Sequence, residues 1–99
     1  MSYRVELHGE AERELMDAYQ WYEERSEGLG RRFIALLHKR LNQLAEDPER
    51  YPRKKGPYHE TTMDVFPYVI IYEVFKKDRI VFVSYIFHSK RNPRLKYKR

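Results

Sequence analysis

The chain contains no cysteine, which excludes a disulfide framework and a thiolate zinc site alike. Its longest nearly unbroken apolar run, Ile80 to Phe87, is far too short to cross a bilayer. Arg4, Glu6 and Glu10 near the start leave no apolar segment of the kind that precedes a cleavage site, so the reading is of a cytoplasmic protein without membrane contact. Glycine is scarce, and Gly28-Leu29-Gly30 follows a helical stripe rather than a strand, so no phosphate-cradling loop is expected. The serines stand in no nucleophile-elbow context, which leaves acyl transfer without support. His8, His38, His59 and His88 are scattered singly. His59-Glu60 opens like a metalloprotease motif, yet it lacks the second histidine one helical turn on and sits in a β pattern. Neither a metal nor a cofactor is expected.

What is present describes one small α+β domain over residues 1–99, with 41% hydrophobic, 15% aromatic and 35% charged residues. The net charge is +5, and its location matters more than its size. Six of the 20 basic residues, and none of the 15 acids, fall between His88 and Arg99. The rest of the chain is close to neutral, and 88–99 reads as a basic C-terminal tail. A smaller basic cluster, Arg53-Lys54-Lys55, falls in the segment before the apolar second half.

Alternation of Tyr3, Val5 and Leu7 with Arg4 and Glu6 predicts a short strand with one buried face. From about Gly9 the period changes: Ala11, Leu15, Ala18 and Tyr22 form a helical stripe, with acids in the first turns where the helix dipole favours them. Ser26-Glu27-Gly28 interrupts it. A second stripe follows, Phe33, Leu36, Leu37, Leu41 and Leu44, closing before Pro48. So short a connection predicts an antiparallel helical hairpin. Asp47 to Tyr58, with Pro48, Pro52, Gly56 and Pro57, reads as a loop. Then come three strands, a polar one over His59 to Val65 and two apolar ones over Tyr68 to Phe75 and Ile80 to Phe87. The expected order is β-α-α-β-β-β, a helical hairpin packed on a small antiparallel sheet.

Nine tyrosines suit two purposes, base stacking beside a basic surface or a thin core built from large apolar bodies with wet tips. The core use is expected for Tyr19, Tyr22, Tyr68 and Tyr72. At Phe87-His88-Ser89-Lys90-Arg91-Asn92-Pro93 a strand ends, a position from which rigid backbone aims side chains at solvent. Strand parity puts His88 and Lys90 on the side of Ser84 and Ile86, and Arg91 on the other unless the strand has already broken toward Pro93. A histidine beside cations can act as acid or base near neutral pH, and the cations can hold a phosphate. Lys90, Arg91, Arg94, Lys96 and Lys98 are the candidate nucleic-acid or partner-binding residues.

Five pieces of the chain in this order resemble the RelE/ParE superfamily of type II toxin–antitoxin toxins. They are Ala11 to Tyr22, Leu29 to Phe33, Leu44 to Pro48 with Tyr51-Pro52, Phe66 to Tyr72, and His88 to Pro93. The match is nearest the ParE-like, plasmid-stabilisation branch. The resemblance implies a small growth-arresting toxin, neutralised by a cognate antitoxin with which it forms a hetero-oligomer. Two mechanisms occur in the superfamily, mRNA cleavage on the ribosome and inhibition of DNA gyrase by binding. Ribonuclease members commonly carry an arginine on the strand before the tyrosine-rich one, and here His59 to Asp64 holds none. Binding of gyrase is therefore the expectation, and the protein is read as a binding toxin rather than an enzyme. If it instead cleaves ribosome-bound mRNA, Glu60 is the base, His88 the acid, and Arg91 or Lys90 the phosphate ligand. A family-shaped domain that has lost toxicity is the third reading.

Overall fold

The computed structural model describes residues 2–99. Strand β1 (Arg4–Leu7) leads into helix α1 (Gly9–Arg25) and helix α2 (Leu29–Glu46), followed by β2 (Arg53–Lys55), β3 (Tyr58–Thr62), β4 (Tyr68–Phe75) and β5 (Ile80–His88). A 3-10 turn at Pro93–Leu95 lies in the C-terminal segment. The strands form one sheet in the order β1-β5-β4-β3-β2.

Three features differ from the sequence expectation. The sheet is mixed, because β1 pairs with β5 in parallel from Arg4↔Ile80 to Leu7↔Val83. Helix α1 runs on along β5, with the His8 amide at the Val83 carbonyl and the Glu14 carboxylate at the Ile86 amide, and α2 carries the chain back, so that the Tyr3 amide at the start of β1 meets the Ala45 carbonyl near the end of α2 at 2.7 Å. The Asp47 to Tyr58 loop contains a strand: Arg53 pairs with His59 and Lys55 with Tyr58, so the small basic cluster forms an outer edge of the sheet. Charged edge strands of this kind discourage pairing with other chains. The polar strand ends at Thr62, because Val65 adopts a left-handed φ of 70° in the turn toward β4.

One face of the sheet carries the helices. Phe33, Leu37, Leu41 and Leu44 of α2 and Ala11 and Ala18 of α1 meet Ile70, Tyr72, Val81, Val83 and Ile86 in a closed core. Tyr72 is fully buried and its hydroxyl donates to the Pro48 carbonyl at 2.7 Å, while burial pushes its ionisation well above the ordinary tyrosine range. Tyr22 and Tyr68 complete an aromatic group with Phe33 and Phe66. Burial, then the neighbouring Tyr22, raises the Tyr68 phenol to about 12. A second, smaller apolar cluster of Ile71, Tyr85 and Phe87 forms on the opposite face. Among the described residues no helix is long and apolar enough to cross a membrane.

The hairpin closes through Gly28 and Gly30. Gly28, at φ 87°, caps α2 without a side chain, and the Glu23 carboxylate of α1 accepts from the Gly28 and Gly30 amides, each at 2.9 Å. Those amides, Gly28 first, hold the Glu23 carboxyl below its usual range. The helices approach so closely that a Cβ on Gly30 would stand 2.5 Å from the Tyr19 carbonyl oxygen, a backbone atom that cannot swing away. Gly30→Ala is expected to cost about 1–3 kcal/mol through overpacking. A thermal melt should then show Tm falling by about 4–8 °C per kcal/mol lost, and an unchanged Tm would contradict this account of the hairpin.

Candidate partner-binding site

A bulge in β5 decides where the candidate site residues point. Ile71 pairs with Tyr85 but Tyr72 pairs with Val83, leaving Ser84 as an extra residue. Val81 and Val83 face the helices, and the extra residue keeps Ile86 on that face. Two residues further, His88 lies opposite Tyr68, with the rings edge to face at 5.1 Å. The strand has broken by residue 89, so Arg91 turns back toward α1 and shares a groove with His88, with its guanidinium centre also 5.4 Å from the Phe87 ring across the strand edge.

Glu60 stands elsewhere. It pairs with Ile71, which pairs with Tyr85, and cross-strand partners share a face. The face it occupies is the one away from the helices, where its carboxylate meets Lys96 at 3.7 Å. The sheet thus separates Glu60 from His88, and these two do not form one acid–base pair; Arg91 lies at the β5 edge between the two faces. His59 is also unavailable as a substitute. It is nearly buried against the helix side, stacks on Tyr72, and its Nδ1 lies 2.6 Å from the Tyr51 carbonyl.

The residue that organises the site is one sequence reasoning missed. Glu14 falls on α1 beside the apolar stripe, one position before Leu15 and one turn before Ala18, and an acid at the margin of a buried face was the available signal. β1 stops pairing at Leu7, and the His8 amide closes that pairing on the Val83 carbonyl at 2.8 Å. Beyond this point the outer edge of β5 has no neighbouring strand among the described residues. Glu14 supplies what a strand would: one carboxylate oxygen accepts from the Ile86 amide at 3.0 Å. Arg99 completes the substitution by donating to the Ser84 carbonyl at 2.8 Å while gripping Glu14 with both guanidinium ends, at 2.7 and 3.0 Å. Arg91 adds a third contact to Glu14 at 3.1 Å. Burial alone would lower the Arg99 ionisation, but the hydrogen bond and charge of Glu14 outweigh it and hold the guanidinium above its usual range.

The basic segment after His88 is therefore partly seated. Arg99 lies over the Tyr85 ring at 4.1 Å, its carbonyl accepts from the Tyr58 hydroxyl at 2.8 Å, and the Lys98 amide donates to the Tyr85 hydroxyl. Tyr97 packs on Tyr58 and the second apolar cluster, with Lys55 over its ring. Of the five candidate cations, Lys96 is drawn inward toward Glu60 and the Phe87 ring, whereas Lys90, Arg91, Arg94 and Lys98 face solvent.

Between α1 and the end of β5 lies a groove of about 440 Å³. Ala18, Tyr22, Tyr68 and Ile86 form its apolar floor, and Asp17, Trp21, His88 and Arg91 its rim. Trp21, the only tryptophan, is half exposed, with the Arg25 guanidinium 3.9 Å from its ring centre. His88 Nδ1 accepts from the Lys90 amide at 3.1 Å, which leaves Nε2 as the ring nitrogen able to meet a partner. No group of metal-ligating side chains occurs among the described residues.

A family model described as the ParE toxin of the type II toxin–antitoxin system parDE matches residues 5–93. The chain belongs to this family. Solved structures agree on the fold. The archaeal RelE–RelB complex from Pyrococcus horikoshii is 19% identical, at a TM-score of 0.57 over 93% of this chain and all of that one. A mutant of Escherichia coli RelE in the free state is 18% identical, at 0.61 over 91% of this chain and 86% of that one. The same toxin with a peptide of the antitoxin RelB is 20% identical, at 0.60 over 92% and 87%. No curated protein sequence matches the chain.

Deleting Lys96 to Arg99 removes the Tyr97 cover from Tyr85 and Phe87 and leaves Glu14 with Arg91 as its one remaining cation. The expected loss is about 2–4 kcal/mol, with increased binding of a hydrophobic dye. Urea titration checks it; an unchanged midpoint would mean that the segment is only loosely laid on the sheet.

Proposed function

We propose that this ParE-family chain is the toxin of a type II toxin–antitoxin pair, that it arrests growth by binding DNA gyrase, and that a cognate antitoxin neutralises it in a hetero-oligomer. The observation that carries the reading is the division of Glu60 from His88 by the sheet. Cleavage of a phosphodiester asks for an acid and a base within reach of the same linkage. Glu14, the carboxylate seated beside Arg91, is committed to two arginines and the Ile86 amide. What surrounds the groove is chemistry suited to recognition: an apolar floor, an exposed indole and solvent-facing cations.

The antitoxin part of the reading is supported by two of the matched structures, one described as a RelE–RelB complex and one as RelE bound to a RelB peptide. Lys90, Arg91, Arg94 and Lys98 remain the cations proposed to meet a partner's acids, and cytoplasmic action follows from the proposed targets.

Purified protein is expected to inhibit gyrase supercoiling, and His88→Ala to retain the inhibition within about threefold, because no proton transfer is asked of the imidazole. Ribosome programmed with reporter mRNA is expected to leave the transcript intact. Ribosome-dependent cuts that His88→Ala abolishes, with gyrase unaffected, would overturn the gyrase reading in favour of a ribonuclease.

A further inference from the structure

The outer edge of β5 does not end where Glu14 caps it. The Ser89 amide donates to the Pro67 carbonyl at 2.8 Å, which makes Tyr68 and His88 a pair that exchanges no hydrogen bonds with each other. By the alternation of an antiparallel ladder, Ile70 and Ile86 are such a pair as well, in accord with the Ile86 amide turning outward to Glu14. The Ile86 carbonyl and the His88 amide therefore point away from β4, on the side that β1 does not reach. Ile86 and His88 both line the groove.

We infer that this strip of β5, together with the groove beside it, is a strand-addition site for an extended partner segment bearing an apolar residue next to an acid. With Glu14 in place on the Ile86 amide, the two backbone groups left are separated by one residue. A single residue of a parallel strand satisfies such a pair, donating to one group and accepting from the other. A parallel segment also continues the direction of β1, the strand it follows along the edge. The residue making these bonds lies level with Phe87 and shares its face, so its neighbour, level with Ile86 or His88, is the one whose apolar side chain enters over Ala18, Tyr22 and Tyr68.

Charge selects the neighbouring residue. His88 and Arg91 line the β5 end of the groove, and Arg91 is half exposed, with one guanidinium nitrogen on Glu14 and its centre 5.4 Å from the Phe87 ring. Asp17, across the groove on α1, disfavours an acid on the helix side, so the carboxylate is fixed at the Arg91 end. This inference rests on the antitoxin reading and names the surface and the chemistry that reading requires.

The test uses the full chain and the product of the reading frame adjacent to its gene. Binding is measured by calorimetry and by amide exchange. Complex formation is expected to slow exchange of the His88 amide by at least about tenfold. Arg91→Glu and Trp21→Ala are each expected to weaken the complex at least about tenfold, with Lys39→Glu on the outer face of α2 as the unaffected control. A tight complex with unchanged His88 exchange and no loss in either variant would overturn the strand-addition site while leaving the antitoxin reading intact. Absence of any complex with the unmodified chain would overturn the antitoxin reading itself. Protection of the His88 amide by a single-stranded RNA oligomer, and not by the adjacent product, would overturn the peptide assignment of the groove.

Discussion

A strand whose neighbour stops short leaves backbone groups that must find other partners, and β5 is in that position from Ser84 onward. The strand sits inside the sheet, buried almost throughout, so its amides and carbonyls cannot turn to water without cost. Glu14 and Arg99 resolve this with side chains. The carboxylate plays the acceptor and the guanidinium the donor of an absent strand, and each neutralises the charge of the other. Side chains of both are mostly buried, with 13% and 16% exposed, a setting in which a bidentate pair is shielded from screening by salt.

Much of the surrounding architecture follows. Arg99 reaches Ser84 because the basic segment folds across the second face of the sheet, and there Tyr97 covers part of the small cluster of Ile71, Tyr85 and Phe87. A run of charge that looks like a solubilising tail is thus half structural. Lys96 and Arg99 are spent on acids of the body, and Lys90, Arg91, Arg94 and Lys98 remain at the surface. The Ser84 bulge acts in the same region. It returns Ile86 to the helix side, carries His88 to the rim of the groove, and leaves Glu60 behind on the other face.

The elements were largely legible because each had a clear period or a clear punctuation. Ala11, Leu15, Ala18 and Tyr22 announced α1, Pro48 closed the second helix, and the YVIIYEVF and IVFVSYIF runs delimited β4 and β5 to within a residue. β2 was hidden, since Arg53-Lys54-Lys55 has no apolar face and becomes a strand only by pairing with β3. The parallel placement of β1 is a property of the whole chain path and leaves no local trace. The site was legible in its members and not in its arrangement. His88 and Arg91 were found from the end of a strand, but a one-residue bulge lies outside what alternation can reveal, and it governs which face each residue joins. Glu14 was passed over because an acid in the first turns of a helix already has an explanation in the helix dipole.

The central claim is that Glu14 and Arg99 act as one unit in place of a strand. A double-mutant cycle with Glu14→Ala, Arg99→Ala and the pair, followed by urea unfolding, measures that coupling directly. The account predicts a coupling energy of about 1.5–3 kcal/mol, accompanied by faster exchange of the Ile86 amide in both single variants. Additive losses, with coupling below about 0.5 kcal/mol and an Ile86 amide still protected when Arg99 is gone, would contradict it.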